Sequence, residues 1–279
     1  MKNKNVFITG ATDGLGRATA KMLSKKGANL YILCRNSAKG EKLRNELKQL
    51  NPEIKVKLFI ADLGNFQEVR QAAAEFLDLN IALDVLINNA GVLNNTRILL
   101  PNGLEQMFAV NHLGHFLLTQ LLMDSLKKAN ASRIVVVASD GYILCKGIQF
   151  DNLEWNQGFR IFKTYGHSKL ANILFSLALS KRLEGTSITV NALHPGEVST
   201  NLGQQNKWWL NYIFKLATPF FKTAEKAAET TLYLANSAEL NGVNGQYFKN
   251  CKVHQLKPWV KDMQQAERLW KVSETLVER

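Results

Sequence analysis

The 279-residue sequence predicts an α/β protein, a single doubly wound domain with a parallel sheet of about seven strands and helices on both faces. Short, continuous apolar runs recur along the chain, as expected for strands that are buried on both faces. Longer segments with apolar residues at helical spacing separate these runs. Because no repeat or Pro/Gly/Ser-rich linker interrupts the alternation, we expect residues 1–279 to form one domain.

The two kinds of element alternate in a regular order along the chain. The strand signals are Val6–Ile8, Leu30–Leu33, Val56–Ile60, Val85–Ile87, Ile134–Val137, Ile188–Val190 and Gln246–Phe248. The helical patterns cover 15–23, 37–50, 66–78, 103–128, 162–183, 223–236 and a C-terminal segment at 258–278. Continuous apolar strands that alternate with helices in this way predict one parallel sheet with both faces covered.

Composition excludes several classes of protein. Hydrophobic residues make up 46% and charged residues 21% of the chain, which is typical of a globular protein with a sizeable core. The 3 cysteines form no C-x-x-C pair, so we expect neither a disulfide framework nor a zinc site. No stretch approaches the roughly 18 apolar residues of a membrane-spanning helix. The sequence therefore predicts a soluble, cytoplasmic protein.

The basic excess indicates an anionic partner. Lys and Arg number 35 against 23 Asp and Glu, for a net charge of +12, and the excess is largest in residues 1–57. A phosphorylated ligand, an anionic membrane surface or a polyanion would each explain it, as would a solvated basic surface. The basic residues form no Lys/Arg run, so nucleic acid is not an expected partner.

A glycine-rich turn follows the first strand signal. Residues Thr9–Gly16 read T-G-A-T-D-G-L-G and place three glycines between a strand and a helix. Glycines there allow a tight turn and close backbone approach, and the helix N-terminus offers N–H groups to a pyrophosphate. This context predicts a Rossmann-type dinucleotide site. The turn residues assigned to the cofactor are Gly10, Thr12, Asp13, Gly14, Leu15 and Gly16.

A pair of residues on a later helix predicts acid–base chemistry. Tyr165 and Lys169 are four positions apart and so share one helix face. The pKa of a free tyrosine, near 10, is too high for proton exchange at neutral pH, and an ammonium one turn away would lower it. Ser139 follows a buried strand and can donate a hydrogen bond to a substrate oxygen. A surface Tyr/Lys pair and a serine that caps a turn are the alternatives.

These features together resemble a known family. The motifs are Thr9–Gly16, Asn88–Gly91, Asn111, Ser139 and Tyr165–Lys169 (Y-G-H-S-K). They occur in the order of the short-chain dehydrogenase/reductase family, and the segments Tyr165–Phe175 and His194–Gly196 are similar to its retinol-dehydrogenase branch. The resemblance implies that Ser139, Tyr165 and Lys169 are catalytic. It also implies that Asn111 holds a water in a proton relay from Lys169; a buried polar cap is the alternative.

The resemblance further implies a set of cofactor contacts. These are Asp62 and Leu63 after the third strand, Asn89, Ala90 and Gly91 after the fourth, and Pro195, Gly196, Val198 and Thr200 after the sixth, with Tyr165 and Lys169 also touching the nicotinamide end. A plain strand-end aspartate explains Asp62 almost as well.

The end of the second strand predicts the choice of dinucleotide. Arg35 stands where an NAD-dependent enzyme of this fold usually has Asp or Glu, and a guanidinium suits the 2′-phosphate of NADP(H). Arg17 could add a second positive charge at the 2′-phosphate, and a solvated surface residue is the alternative. The Asp13 carboxylate argues against NADP(H), because its negative charge would repel a nearby phosphate.

An aromatic, apolar segment lies at 207–221, within the stretch 200–222 where the family carries a substrate lid. We expect it to form the wall of an apolar pocket; a peripheral membrane face and an ordinary core helix are the alternatives.

The sequence therefore predicts an NADP(H)-dependent oxidoreductase that interconverts a lipophilic aldehyde or ketone and its alcohol. An NADP(H)-binding sensor or interaction protein without turnover is the alternative. The resemblance implies a homodimer or homotetramer formed through the helices at 103–128 and 162–183, and no metal site is expected at the 5 histidines.

Overall fold

A single eight-stranded sheet organises the computed structural model, which describes residues 1–196 and 223–278. The strand order is β3-β2-β1-β4-β5-β6-β7-β8. The strands are β1 (Asn5–Thr9), β2 (Asn29–Cys34), β3 (Val56–Ile60), β4 (Val85–Asn88), β5 (Ser132–Val137), β6 (Ile188–His194), β7 (Tyr247–Lys249) and β8 (Lys252–Val253). This order confirms the doubly wound α/β fold, because the chain leaves β1 in one direction toward β3 and returns to β4 on the other side.

Seven strands are parallel, as the sequence predicts, and the eighth is antiparallel to β7. The sequence did not predict β8, because a strand of only two residues is too short to show an apolar run. Asn250 and Cys251 make the connecting turn with φ angles of 52° and 59°, in the left-handed region.

Helices cover both faces of the sheet. They are α1 (Gly14–Lys25), α2 (Ser37–Leu50), α3 (Phe66–Leu77), α4 (Gln106–Phe108), α5 (Gly114–Leu121), α6 (Met123–Lys127), α7 (Ile161–Arg182), α8 (Ala224–Asn236) and α9 (Met263–Val277). Apolar side chains of α1, α2 and α8 pack in the core on one face. Those of α3, α5, α7 and α9 pack on the other. No helix in these described ranges is long and apolar enough to cross a membrane.

The helical pattern at 103–128 forms a broken helix. Between α4 and α5, residues Ala109–Leu113 form a π-helical turn, and Asn111 lies at its centre. Close packing accompanies the break: a Cβ on Gly114 would lie 2.3 Å from the carbonyl oxygen of Leu63. Such single π turns inside α-helices often occur at functional sites.

The C-terminal helix begins later than the sequence indicates. Pro258 opens a 3₁₀ turn (Pro258–Lys261), and α9 starts at Met263 with Asp262 as its N-cap. The carboxyl ends of β1 and β4 lie side by side at the point where the strand order reverses. A crevice at that point is where open α/β sheets bind ligands.

Candidate active site

Tyr165 and Lys169 lie on α7 and face the carboxyl end of β5. Lys169 is 3% exposed, and its Nζ donates a hydrogen bond to the carbonyl oxygen of Val137 at 3.0 Å. The same Nζ lies 5.6 Å from the centre of the Tyr165 ring. The predicted shared face of the helix is therefore confirmed, and the sheet itself anchors the ammonium.

Two glycines bring Ser139 to Tyr165. A Cβ on Gly166 would lie 2.3 Å from the carbonyl oxygen of Gly141, so only glycine lets α7 pass this close to the turn that follows β5. A Cβ on Gly141 would lie 3.5 Å from Ser139 Oγ and 3.7 Å from Tyr165 Cδ1. The serine hydroxyl and the tyrosine ring therefore flank the same glycine.

The Ser139 hydroxyl also shapes its own turn. Ser139 Oγ accepts a hydrogen bond from the backbone N–H of Gly141 at 3.1 Å and so caps the 3₁₀ turn Asp140–Leu144. The capping role and the catalytic role are compatible, because the cap uses an oxygen lone pair and not the hydroxyl hydrogen.

Burial controls the proton affinities of this pair. It raises the pKa of the Tyr165 phenol to about 12, and the Ser139 hydroxyl acts in the opposite direction. Burial also lowers the pKa of the Lys169 ammonium to about 8. The net shift of the phenol is opposite to the sequence-based expectation, because the loss of solvation outweighs the stabilisation of the phenolate by its neighbours.

Asn111 is fully buried in the π-helical turn and ties three segments together. Its Oδ1 accepts from the backbone N–H of Val92 at 2.7 Å. Its Nδ2 donates to the carbonyl oxygen of Val92 at 3.0 Å and to Ser168 Oγ at 2.9 Å. The Ser168 hydroxyl in turn donates to the carbonyl oxygen of Tyr165 at 2.7 Å. The side chain is thus a buried polar clamp, and its water-binding role stays a prediction.

His115 links this turn to the glycine turn. Its Nδ1 lies 3.0 Å from the carbonyl oxygen of Asn111 and its Nε2 lies 2.8 Å from Thr9 Oγ1. Burial lowers the pKa of His115 to about 4, so the ring is neutral at pH 7. A carbonyl only accepts, so Nδ1 carries the hydrogen and Nε2 accepts from the Thr9 hydroxyl. The sequence analysis missed this residue.

The glycine turn fits a dinucleotide cradle. Gly10 and Gly14 have φ angles of 66° and 49°, in the region that favours glycine. A Cβ on Gly16 would lie 2.3 Å from the carbonyl oxygen of Gly10, which explains why the third position is also glycine. Asp13 caps α1 by accepting from the N–H of Gly14 at 2.7 Å. Its carboxylate therefore lies at the helix end that would face a pyrophosphate.

The loop after β4 packs directly on that turn. Asn89 Nδ2 donates to the carbonyl oxygens of Thr9 and Gly10, at 2.8 and 3.2 Å. The N–H groups of Asn89 and Ala90 both donate to Thr9 Oγ1 at 3.0 Å. A Cβ on Gly91 would lie 3.3 Å from Asn111 Oδ1 and 3.5 Å from Lys169 Nζ. This loop therefore joins the cofactor end of the candidate site to the catalytic end.

Arg35, which follows β2, and Arg17, on α1, both have acidic partners. Arg35 is exposed and lies 3.4 Å from Asp62 Oδ2, and Asp62 Oδ1 accepts from the N–H of Gly64 at 2.8 Å. Arg17 forms an ion pair with Glu46. Asp62 lies two residues beyond the end of β3.

Other predicted cofactor contacts are placed by backbone position. The side chains of Leu15 and Leu63 are buried in the two cores, so only their backbone can face a dinucleotide. Thr12 lies in the turn between β1 and α1, and Pro195 and Gly196 follow β6 at the carboxyl edge of the sheet. Val198, Thr200 and the expected lid at 200–222 lie outside the described residues.

The described histidines, cysteines and carboxylates form no group that could hold a metal ion. His112 and His115, three apart on the broken helix, bond instead to Ser273 and Thr9. Sequence reasoning also missed Gly141, Gly166 and the charged side chains next to Ser139, because each depends on contacts between distant segments.

Comparison with known proteins shows which families and structures this chain is similar to. The short chain dehydrogenase family model matches residues 4–211. Retinol dehydrogenase 14 from Homo sapiens is 45% identical over 99% of this chain and 87% of its own length. Retinol dehydrogenase 12 from Mus musculus is 39% identical over 97% of this chain and 85% of its own.

A solved structure shares the fold over nearly the whole chain. An uncharacterized protein from Mycobacterium Paratuberculosis superposes with a TM-score of 0.78 and 30% identity, covering 99% of this chain and 94% of its own. The family match covers most of the chain, and the relatives cover nearly all of it. The chain therefore belongs to the short-chain dehydrogenase family of NAD(P)(H)-dependent oxidoreductases.

Proposed function

We propose that this protein is an NADP(H)-dependent oxidoreductase that interconverts a lipophilic aldehyde or ketone and its alcohol, with Tyr165 as the general acid and base. One observation carries the proposal: Ser139 Oγ and the Tyr165 ring flank Gly141, and the Lys169 ammonium lies 5.6 Å from the same ring. This constellation lies at the carboxyl edge of the sheet, beside the dinucleotide cradle.

The side chains divide the chemistry of reduction among them. A nicotinamide dinucleotide held by the glycine turn at Gly10, Gly14 and Gly16 would supply a hydride to the carbonyl carbon in reduction and would accept it from the alcohol carbon in oxidation. Ser139 donates a hydrogen bond to the carbonyl oxygen, and Tyr165 transfers its phenolic proton to that oxygen, which completes the alcohol. Oxidation returns the alcohol proton to the tyrosine oxygen. Because burial raises the pKa of Tyr165 to about 12, the phenol holds its proton at neutral pH and is available as the proton donor.

Lys169 and Asn111 are proposed to support proton transfer at Tyr165. The Lys169 ammonium, anchored on the Val137 carbonyl, supplies the positive charge that stabilises the phenolate after proton transfer. Asn111 is proposed to hold a water that returns a proton through Lys169. Support comes from Gly91, whose absent Cβ leaves space within 3.5 Å of both Asn111 Oδ1 and Lys169 Nζ.

Arg35 supports the choice of NADP(H). Its side chain is 57% exposed, and its contact with Asp62 is long at 3.4 Å. An exposed ion pair of this kind is weak. A 2′-phosphate, with more charge and more acceptor atoms, can therefore replace Asp62 as the partner of Arg35.

The relatives and the turn after Ser139 both support an apolar substrate. The two curated relatives are named retinol dehydrogenases, and retinol is a long apolar alcohol. Ile143 and Leu144, on the turn that Ser139 caps, expose 50% and 52% of their surface. Exposed apolar side chains beside the reacting groups favour a lipophilic chain over a sugar or a hydroxy acid.

An NADPH-oxidation screen tests the proposal. Purified protein is mixed with NADPH and all-trans-retinal, with straight-chain aldehydes of increasing length, or with a polar sugar aldehyde. We expect turnover that increases with apolar length and is absent for the sugar. Binding of NADPH without turnover of any carbonyl would instead support the sensor alternative.

A further inference from the structure

A cluster of charged and polar side chains lies beside Ser139 and has no role in the chemistry above. We name it the Asp140 cluster; its members are Asp140, His194, Tyr247 and Lys249. Asp140 Oδ2 accepts a hydrogen bond from Lys249 Nζ at 2.6 Å, and Oδ1 accepts from the Tyr247 hydroxyl at 2.9 Å. His194 Nε2 lies 3.6 Å from Oδ2, and His194 Nδ1 accepts from the backbone N–H of Asp140 at 3.2 Å.

The cluster joins the carboxyl ends of three neighbouring strands. Asp140 follows β5, His194 is the last residue of β6, and Lys249 is the last residue of β7. His194 and Lys249 are register partners across β6 and β7. All three strands end at the edge of the sheet where Ser139 and Tyr165 meet, so the cluster lies at the same edge as the proposed substrate oxygen.

Asp140 is ionised in this setting. Burial alone would raise the pKa of Asp140, but Lys249, His194 and Tyr247 together hold it below its ordinary value. The side chain is only 27% exposed, so water screens its charge incompletely. A carboxylate one residue from Ser139 would therefore repel negative charge nearby unless a cation lies beside it.

We propose that Lys249 is a positioning residue for the reaction, acting as the counter-ion that keeps the Asp140 carboxylate from opposing negative charge on the substrate oxygen. This inference rests on the proposed function. During hydride addition the carbonyl oxygen gains negative charge before the Tyr165 proton neutralises it. With Lys249 at 2.6 Å, Asp140 presents an ion pair to that oxygen and not a net charge.

The role makes Lys249 dependent on Asp140. Removing Lys249 alone leaves an unpaired, half-buried carboxylate, whereas removing both charges leaves none. A cation that acted on the substrate directly would be needed whether or not Asp140 is charged. A clamp that only holds the strand ends together would lower the unfolding temperature of Lys249→Met together with its kcat, so thermal unfolding of each variant separates the two roles.

The experiment compares Lys249→Met, Asp140→Asn and the double variant with the wild-type protein, using NADPH and the best aldehyde of the screen. Thermal unfolding is recorded for each. We expect Lys249→Met to reduce kcat about tenfold or more with unchanged NADPH Kd. The double variant returns to within threefold of wild type, and Lys249→Arg retains activity. Lys252→Met, which removes a cation opposite Lys249 on β8, serves as the control and leaves kcat unchanged.

Two results would overturn the inference. One is a Lys249→Met protein with wild-type kcat; the other is a double variant as slow as Lys249→Met. If Lys249→Met does not fold, Asp140→Asn is compared with the double variant, and a difference above threefold contradicts the dependence on Asp140. A wild-type protein without turnover would contradict the proposed function, and the inference with it. An active wild-type protein whose kcat is not changed by Lys249→Met would contradict the inference alone.

Discussion

Lys169 and Asn111, at the catalytic end of the proposed site, are 3% and 0% exposed, whereas Arg35 and Arg17, at the adenosine end, expose 57% and 41% of their side chains. The buried groups contact backbone carbonyls of the sheet and of the loop after β4. Each exposed group contacts a single carboxylate at the protein surface. Burial shifts proton affinities and fixes geometry. We therefore expect substitutions at the catalytic end to have large effects on rate and stability, and substitutions at the adenosine end to have modest effects on dinucleotide preference.

Tyr165→Phe tests the buried end most severely. The substitution removes one hydroxyl and with it the proposed proton donor, so kcat should fall about 10²–10⁴-fold while NADPH binding is kept. Steady-state kinetics and a fluorescence titration with NADPH measure the two quantities. Tyr233→Phe, which removes an exposed hydroxyl bonded to Glu239, is the matched control. Turnover of the Tyr165 variant within threefold of wild type would remove tyrosine from the mechanism.

The buried end also predicts how stability depends on pH. Burial lowers the pKa of His112 to about 3 and the pKa values of His115 and His167 to about 4. The unfolded chain binds protons at these residues below about pH 6.5, whereas the folded chain does not. Stability is therefore fully present above pH 6.5 and falls as the pH drops toward 4.

We expect a loss of up to about 4 kcal/mol per pH unit from these three residues. Urea unfolding at pH 7, 6 and 5 measures it. Equal unfolding free energies at the three pH values would show that the histidines are not buried as neutral rings.

Gly166→Ala tests the close approach that joins Ser139 to Tyr165. The added methyl would lie 2.3 Å from the Gly141 carbonyl oxygen, so α7 and the turn must separate. A displacement of about 1 Å between reacting groups can cost about 10²-fold in rate, and overpacking costs about 1–3 kcal/mol in stability. Gly158→Ala, with φ 68° and open space around the new methyl, should lose stability but keep activity. A fully active Gly166→Ala protein would contradict this account.

At the exposed adenosine end, we expect a substitution to change the preference between NADPH and NADH and not the rate of turnover. If Arg35 binds the 2′-phosphate, NADPH should be preferred over NADH by roughly ten- to hundredfold. Arg35→Asp should erase or invert that preference, with turnover at saturating NADH nearly unchanged. Arg44→Asp, at another exposed arginine already paired with Glu41, is the control. Equal Kd values for the two dinucleotides in the wild-type protein would refute the assignment.

The same contrast explains what the sequence could predict. Tyr165 and Lys169 are four residues apart on one helix, so the 3.6-residue period alone places them together. The seven parallel strands were predictable because apolar runs mark burial on both faces. The contact of Gly166 with Gly141, the Asp140–Lys249 pair and the Thr9–His115 bond join segments 25 to 109 residues apart. No local pattern encodes such a pairing.

The pKa of Tyr165 shows a second limit of sequence reasoning. The helical spacing correctly predicts a nearby ammonium, but it carries no information about desolvation, which here raises the pKa to about 12. Similarly, the π-helical turn at Asn111 lies beside the close packing of Gly114 on Leu63, a contact between distant segments that the helical pattern at 103–128 cannot reveal.

Isotope transfer tests the central claim, that the buried Ser139, Tyr165 and Lys169 carry out hydride chemistry on a lipophilic carbonyl. Purified protein is incubated with all-trans-retinal and NADPH deuterated at both C4 positions, and the product is analysed by mass spectrometry. We expect retinol that carries one deuterium on the alcohol carbon, formed by the wild-type protein and not by Tyr165→Phe. Binding of the deuterated dinucleotide without labelled alcohol from retinal or any other apolar carbonyl would contradict the account.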